Sequence, residues 1–294
     1  MDPATAGVTE TKRQRPLSIF QLLRAYPRER LYVHPILWTQ LHLKLLGCEF
    51  ADGGIFSTPP PPPGEPNNNN VRTAAERQTD TNQARFFAKG KSDCKWRSLV
   101  RLMGQEVFQK DKITFRYDSK IVANLPCKFL ELKSSPRRTT LLPVSQLACL
   151  DLSHLERYRK IKKGRRRLYA FRPRDYSPLK EDPYMAVLLI ALAQRALAAH
   201  QNKNRDDNVD DGGDDSNGDG TQMLLVTNPR VDKYLHVYTS NISKEFLARF
   251  EWPKLSPTGD GERKFGMVIL HRRVEFEPYD TFRERFIAVL QGTT

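Results

Sequence analysis

The stretch EDPYMAVLLIALAQRALAAH, Glu181 to His200, decides how the rest of the chain is read. Asp182 is of the type that accepts from the free amides of a helix start, and Pro183 has its φ preset for the first helical position, so a helix opens here. From Met185 to Ala193 every residue is apolar. Such a run leaves no face for water, so either other elements or lipid surround it. A membrane span needs about 20 apolar residues, and Gln194 and Arg195 break the run too soon. The reading is a central core helix over 183–200, with the remaining elements arranged to cover it.

Downstream, Asp206 to Gly220 holds seven Asp and four Gly with no Lys or Arg. It is read as an acidic, disordered insertion over 203–221. Beyond it, Met223–Thr227 and Tyr234–Thr239 read as strands joined by a turn at Asn228-Pro229-Arg230. Ser243 caps a helix carrying Phe246, Leu247 and Phe250, and Phe265–Phe276 alternates as a third strand. Asp280 caps a last helix with Phe282, Phe286, Val289 and Leu290 on one face. The order of this last third is α-β-β-α-β-α.

Upstream, Cys94–Phe108 carries Trp96, Leu99, Val100, Met103, Val107 and Phe108 at helical spacing. After Gln109 the period shifts to two through Ile113, Phe115 and Tyr117, and Cys127–Leu132 follows as a second strand. Leu147–Tyr158 returns to helical spacing. Helices and strands without regular βαβ alternation predict an α+β fold: one main domain over 91–294, its mixed or antiparallel sheet packed around the central helix. Before that domain come a disordered basic tail (1–15), short helices (16–50) and a Pro- and Asn-rich linker (51–90) containing Pro59–Pro63 and Asn67–Asn70. The first short helix carries Leu17, Phe20, Leu22 and Leu23; Pro35 opens the next and Gly47 ends it. His34, Trp38 and His42 have no acidic or Cys partner at ligand spacing and are predicted to pack.

The net charge is +14 over 294 residues, which favours an acidic partner. Cys48, Cys94, Cys127 and Cys149 form no C-x-x-C pair and read as reduced, structural thiols. The first residues contain no apolar targeting segment, which predicts an intracellular protein and makes Asn241-Ile242-Ser243 a glycosylation sequon in name only. No G-x-S-x-G, H-E-x-x-H or dinucleotide fingerprint occurs. Gly90-Lys91-Ser92 ends like a phosphate-binding loop, but Arg85 stands where its first glycine belongs. His236 and His271 fall on predicted strands and read as structural. Asp215-Ser216-Asn217-Gly218-Asp219-Gly220 is half of a calcium loop whose closing Glu is replaced by Val226, inside a strand.

Two segments remain. Arg157 to Arg174 holds ten Arg or Lys and no acid, with Tyr158, Tyr169 and Phe171 interleaved. Arg157, Arg159, Lys160, Lys162, Lys163, Arg165, Arg166 and Arg167 form a polyanion-binding stripe, a nuclear import signal, or simply a solvated charge run. The acidic insertion flanks the same core helix from its other end and can fold across this run, competing with polyanions. The second segment is Tyr117-Asp118 followed by Phe129-Leu130-Glu131-Leu132-Lys133. An Asp closing one strand and Glu-x-Lys on the next can hold a divalent cation and position a water. This pattern resembles the PD-(D/E)XK nuclease superfamily, which implies Asp118, Glu131 and Lys133 as catalytic residues with magnesium or manganese. Tyr117 stands where that pattern has proline.

The residues EDPYMAVLLIALAQ, LLVT, YLHVYTSNISKEFLARFEWP and EPYDTFRERF resemble a group of uncharacterised proteins from filamentous fungi, over 181–294. That resemblance implies an intracellular fungal origin and no mechanism. The resulting expectation is a non-enzymatic interaction module without a cofactor. Its basic surface meets an acidic partner, nucleic acid or acidic protein, in the nucleus through an import receptor; a metal-dependent nuclease is the alternative.

Overall fold

A computed structural model describes residues 17–27, 33–56, 73–90, 92–103, 107–132, 146–165, 181–206, 221–227, 233–256 and 266–291. In chain order these form α1 (Ile19–Ala25), a 3-10 turn at Pro35–Leu37, α2 (Gln40–Leu46), β1 (Cys48–Phe56), α3 (Ala74–Lys89) and α4 (Ser92–Met103). There follow β2 (Val107–Tyr117), β3 (Lys120–Leu132), β4 (Gln146–Asp151), α5 (Leu152–Arg165) and α6 (Pro183–Asp206). The chain closes with β5 (Thr221–Thr227), β6 (Tyr234–Asn241), α7 (Lys244–Glu251), β7 (Met267–Glu275) and α8 (Phe282–Gln291). The fold is α+β, and the expected order of the last third is found.

The strands make one mixed sheet in the order β1-β7-β6-β5-β4-β3-β2. The β1–β7 and β4–β5 pairs are parallel and the others antiparallel. Helix α6 lies on one face, against β2, β4, β5 and β6, while α2, α7 and the 3-10 turn pack against it as well. Sheet on one side and helices on the other explain its composition: Tyr184 to Leu192 have no solvent exposure. The opposite face is covered by α3, α4 and α8, whose Phe87, Trp96, Leu99, Phe282 and Phe286 meet Leu147, Leu225 and Val237 of the sheet.

The two residues that end the apolar run each have a partner. Gln194 accepts from the Arg116 amide and donates to the Arg116 carbonyl, both at 2.9 Å. It thereby occupies the outer edge of β2, the position another strand would take. The Arg195 guanidinium lies 4.3 Å from the Phe129 ring centroid, within cation–π range.

Several expectations are corrected. The 51–90 stretch is not a linker throughout: β1 pairs along β7, and α3 starts with a reciprocal Thr73–Glu76 cap and buries Ala84 and Phe87. Residues 57–72, with both low-complexity runs, lie outside the described residues, as do 1–16. The helix expected over Leu147–Tyr158 is divided between β4 and α5. Leu147, Ala148, Cys149 and Leu150 are all buried because β4 has a helical layer on each face, and a strand buried on both faces has no alternation to read. The helix opened by Pro35 is likewise two pieces. Gly47, at φ 72°, ends α2 in the left-handed conformation that only glycine adopts cheaply. The core helix runs to Asp206, beyond the expected 200, and shortens the insertion from that side. Val107 and Phe108 belong to β2 rather than the preceding helix, and Thr281, not Asp280, precedes the first residue of α8.

Candidate functional site

The basic run begins on α5. Arg157 is exposed, whereas Arg159 is 8% exposed and turned inward. Its Nη1 and Nη2 donate to the two carboxylate oxygens of Asp182 at 2.6 and 2.7 Å, and its Nε donates to the Ile36 carbonyl at 3.4 Å. Arg159 is therefore removed from the polyanion-binding set. Its role is to pin α5 to the start of α6 and to the 3-10 turn. A bidentate guanidinium–carboxylate pair has the geometry to offset the loss of water around both charges. Removing one partner leaves the other buried alone, at a cost of about 3–5 kcal/mol. Asp182 performs its expected capping as well, accepting from the Tyr184 amide at 2.9 Å. Lys160, Lys162, Lys163 and Arg165 continue α5, and Arg166 and Arg167 lie outside the described residues, as does Asp207 to Gly220 of the acidic insertion.

The nuclease-like residues are not brought together. Asp118 and Ser119, at φ 53° and 58°, form the tight turn between β2 and β3, closed by the Tyr117–Lys120 pair. Glu131 sits at the other end of β3, opposite Phe108 and Gln146. At about 3.3 Å per residue that is roughly 30–35 Å of strand, while two carboxylates sharing a cation must both reach within about 2.6 Å of it. Asp118 and Glu131 cannot hold one ion in this register. Lys133 lies outside the described residues. Among those described, no group of three or more His, Cys, Asp or Glu side chains is placed to hold a metal, and no helix is long and apolar enough to cross a membrane.

Two buried polar clusters go beyond the sequence reading, which took His236 and His271 singly as structural and did not mark Lys95. His236 on β6 and His271 on β7 have near-parallel rings with Nδ1 and Nε2 2.9 Å apart and centroids 5.1 Å apart. That combination places the rings edge to edge, so one donates and the other accepts. Tyr238 stacks on His271 at 4.6 Å. On the other face Lys95 of α4 is fully buried with no hydrogen-bond partner for its Nζ among the described residues. Burial lowers its pKa, against the opposing attraction of Asp151 at the end of β4. Asp151 itself accepts from the Ser153 amide at 3.0 Å and from the Ser153 hydroxyl, capping α5. The only signal for Lys95 in the sequence is its spacing: Lys95, Leu99 and Leu102 share one helical stripe.

Burial pushes the Cys48 and Cys127 thiols up to about 12 and Cys149 upward too, which leaves all three protonated and inert at neutral pH. His34 accepts from the Ile36 amide at 3.3 Å. His42 accepts from the Thr39 amide at 3.0 Å and stacks on Trp38. Comparison of the chain with protein-family models, with curated proteins and with solved structures finds no match.

Proposed function

We propose that the chain is a non-enzymatic interaction module that presents the basic run of α5 to an acidic partner inside the cell, in the nucleus. The observation that supports it most is the inward-facing Arg159. One arginine of the run is spent on docking α5 against Asp182 and Ile36, while Arg157, half a turn away, is exposed. A run serving only as a solvated tail has no use for such an anchor. A cationic helix held at a fixed place offers an acidic partner a preorganised surface, and less ordering entropy is lost on binding. The net charge of +14 acts in the same direction, drawing anionic partners to the surface.

The test is fluorescence anisotropy of two labelled polyanions, a Glu/Ser peptide and an 18-bp duplex DNA, titrated with the full chain. Both bind with affinity that falls as salt rises. Reversing Lys160, Lys162, Lys163 and Arg165 to Glu together weakens both at least tenfold. Unchanged affinity in that variant rejects the reading. A full-length fluorescent fusion reports the location, nuclear for the parent and excluded from the nucleus for the reversed variant.

A further inference from the structure

Near the end of α3 two adjacent phenylalanines are placed in opposite ways. Phe87 is fully buried, its ring against Trp96, Phe276 and Phe282. Successive helical residues project about 100° apart, so anchoring Phe87 turns Phe86 outward, where it is 60% exposed. The cations beside it on the helix have fixed places. The Arg85 guanidinium and the Lys89 ammonium each lie 5.7 Å from the centroid of the Tyr279 ring, within cation–π range. Both side chains are nevertheless exposed, and Tyr279 is half-buried. Lys89 follows Phe86 by three positions, where helical side chains are neighbours, so Tyr279, the two cations and Phe86 form one stripe. Like charges four positions apart on a helix repel, and no ion pair among the described residues relieves Arg85 or Lys89. The acids next to Tyr279 are Glu277 and Asp280, both exposed; neither pairs with these cations, and the charge of Asp280 acts on Arg285 of α8. Elsewhere on α3 and α4 the exposed cations are Arg77, Arg97 and Arg101. Against them stand Glu76, which closes its own helix cap, and Asp80, which is paired with Arg283. The side chains of Lys91 and Asp93 lie outside the described residues.

We infer that this stripe binds single-stranded nucleic acid, with a base stacked on Phe86 and the adjoining phosphates on Arg85 and Lys89. A guanidinium laid on an aromatic face keeps its N–H edge free for a phosphate, and the Tyr279 ring holds it in place. An exposed aromatic beside fixed cations matches what an unpaired nucleotide brings, a flat base with an anion one sugar away. A duplex keeps its bases stacked inside and has none to lay on Phe86. An acidic peptide engages the cations but carries no base for the ring. The stripe belongs to the helical layer on the sheet face opposite α6. It does not use α5, and so stands apart from the basic-run reading.

Anisotropy titrations of the full chain with labelled 15-nucleotide oligo(dT) and oligo(rU), the 18-bp duplex DNA and the Glu/Ser peptide test it. At least one single strand binds, and the tighter of the two tells DNA from RNA. Phe86→Ala weakens that strand about fivefold or more without changing its salt dependence, and Phe86→Tyr keeps the parent affinity. The duplex and the peptide are indifferent to both changes. Arg85→Gln combined with Lys89→Gln weakens the single strand and lowers its salt slope by about 1.4, the value for two phosphates. If Phe86→Ala fails to fold by circular dichroism, Phe86→Leu, which keeps bulk and removes the π face, gives the same comparison. Repeating the titrations with Lys160, Lys162, Lys163 and Arg165 reversed to Glu leaves the ratio between parent and Phe86→Ala as it was. No binding of either strand at 10 mM salt, or an affinity that Phe86→Ala leaves unchanged, overturns the inference and leaves the basic-run reading to its own test. A ratio that disappears when α5 is reversed overturns it in favour of α5 as the strand's site. Equal weakening of the peptide by Phe86→Ala overturns it in favour of an acidic protein. A loss that Phe86→Tyr shares with Phe86→Ala assigns Phe86 to packing and overturns it as well.

Discussion

Lys95 is the residue whose placement conflicts most with its chemistry. It is fully buried, and its Nζ finds no acceptor among the described residues. Asp151 attracts it, but burial is the larger effect and the pKa falls below the ordinary 10.5. The sign for stability follows from linkage. Between the lowered folded value and 10.5 the unfolded chain binds the extra proton, so native stability rises with pH through that window. Below it the folded state carries the full penalty. Lys95→Met keeps the stem and removes the amine, and is expected to stabilise the protein by about 1–3 kcal/mol at pH 7, the cost of an unpaired buried polar group. The urea midpoint at pH 7 and at pH 10 checks this: the variant's advantage shrinks at the higher pH. A variant less stable than the parent at pH 7 means that Lys95 has a partner worth more than its burial costs. Arg159 is the opposite case, a buried charge with every oxygen of its carboxylate partner in reach.

At the scale of elements, the β2–β3 hairpin shows what the nuclease-like pattern records. Asp118 and Ser119 both hold positive φ in a turn whose right-handed match to the strands favours Asn-Gly. Asp tolerates that conformation and serine does so at a cost of about 1–2 kcal/mol. Ser119→Gly is therefore expected to raise stability by about 1 kcal/mol in urea denaturation, since the position asks for a glycine that the sequence lacks. A loss of stability shows instead that the Ser119 side chain contributes a bond worth more than the strain. Asp118 is thus placed by turn geometry, and its spacing from Glu131 in sequence says nothing of proximity, because β3 carries the two to opposite ends. Legibility varied for similar physical reasons. Ser243, the alternation of β7 and the apolar face of α8 are local signals and were readable. Strand β1, with Asp52, Gly53 and Gly54, and α3, mostly polar and burying only Ala84 and Phe87 while Phe86 stays exposed, take their structure from tertiary pairing. Arg159 was hidden among cations identical to it, with its partner already explained as a cap.

At the scale of the whole molecule, α6 sets a distance. Its 24 residues at 1.5 Å each span about 36 Å, from the Arg159–Asp182 pair at one end to the start of the acidic insertion at the other. Arg165, the last residue of α5, is six positions from that pair, so α5 carries its cations no more than about 9 Å from it along the helix. An insertion tied at Asp206 and Thr221 extends at most roughly 25 Å from its ends even when fully stretched, at about 3.4 Å per residue out and back. Together these reaches leave about 2 Å of the span, less than the screening length of about 8 Å at physiological salt. The length of α6 therefore lets the acidic segment sense α5 only when the insertion is close to full stretch, which costs it conformational entropy. Deleting 207–219 is accordingly expected to tighten the affinity of the Glu/Ser peptide, by no more than about twofold at 150 mM salt and by more at 10 mM, where the screening length is about 30 Å. A large effect at both salts would mean that the insertion rests against α5 despite the span of α6. No effect at either would mean that the two segments do not sense one another at all.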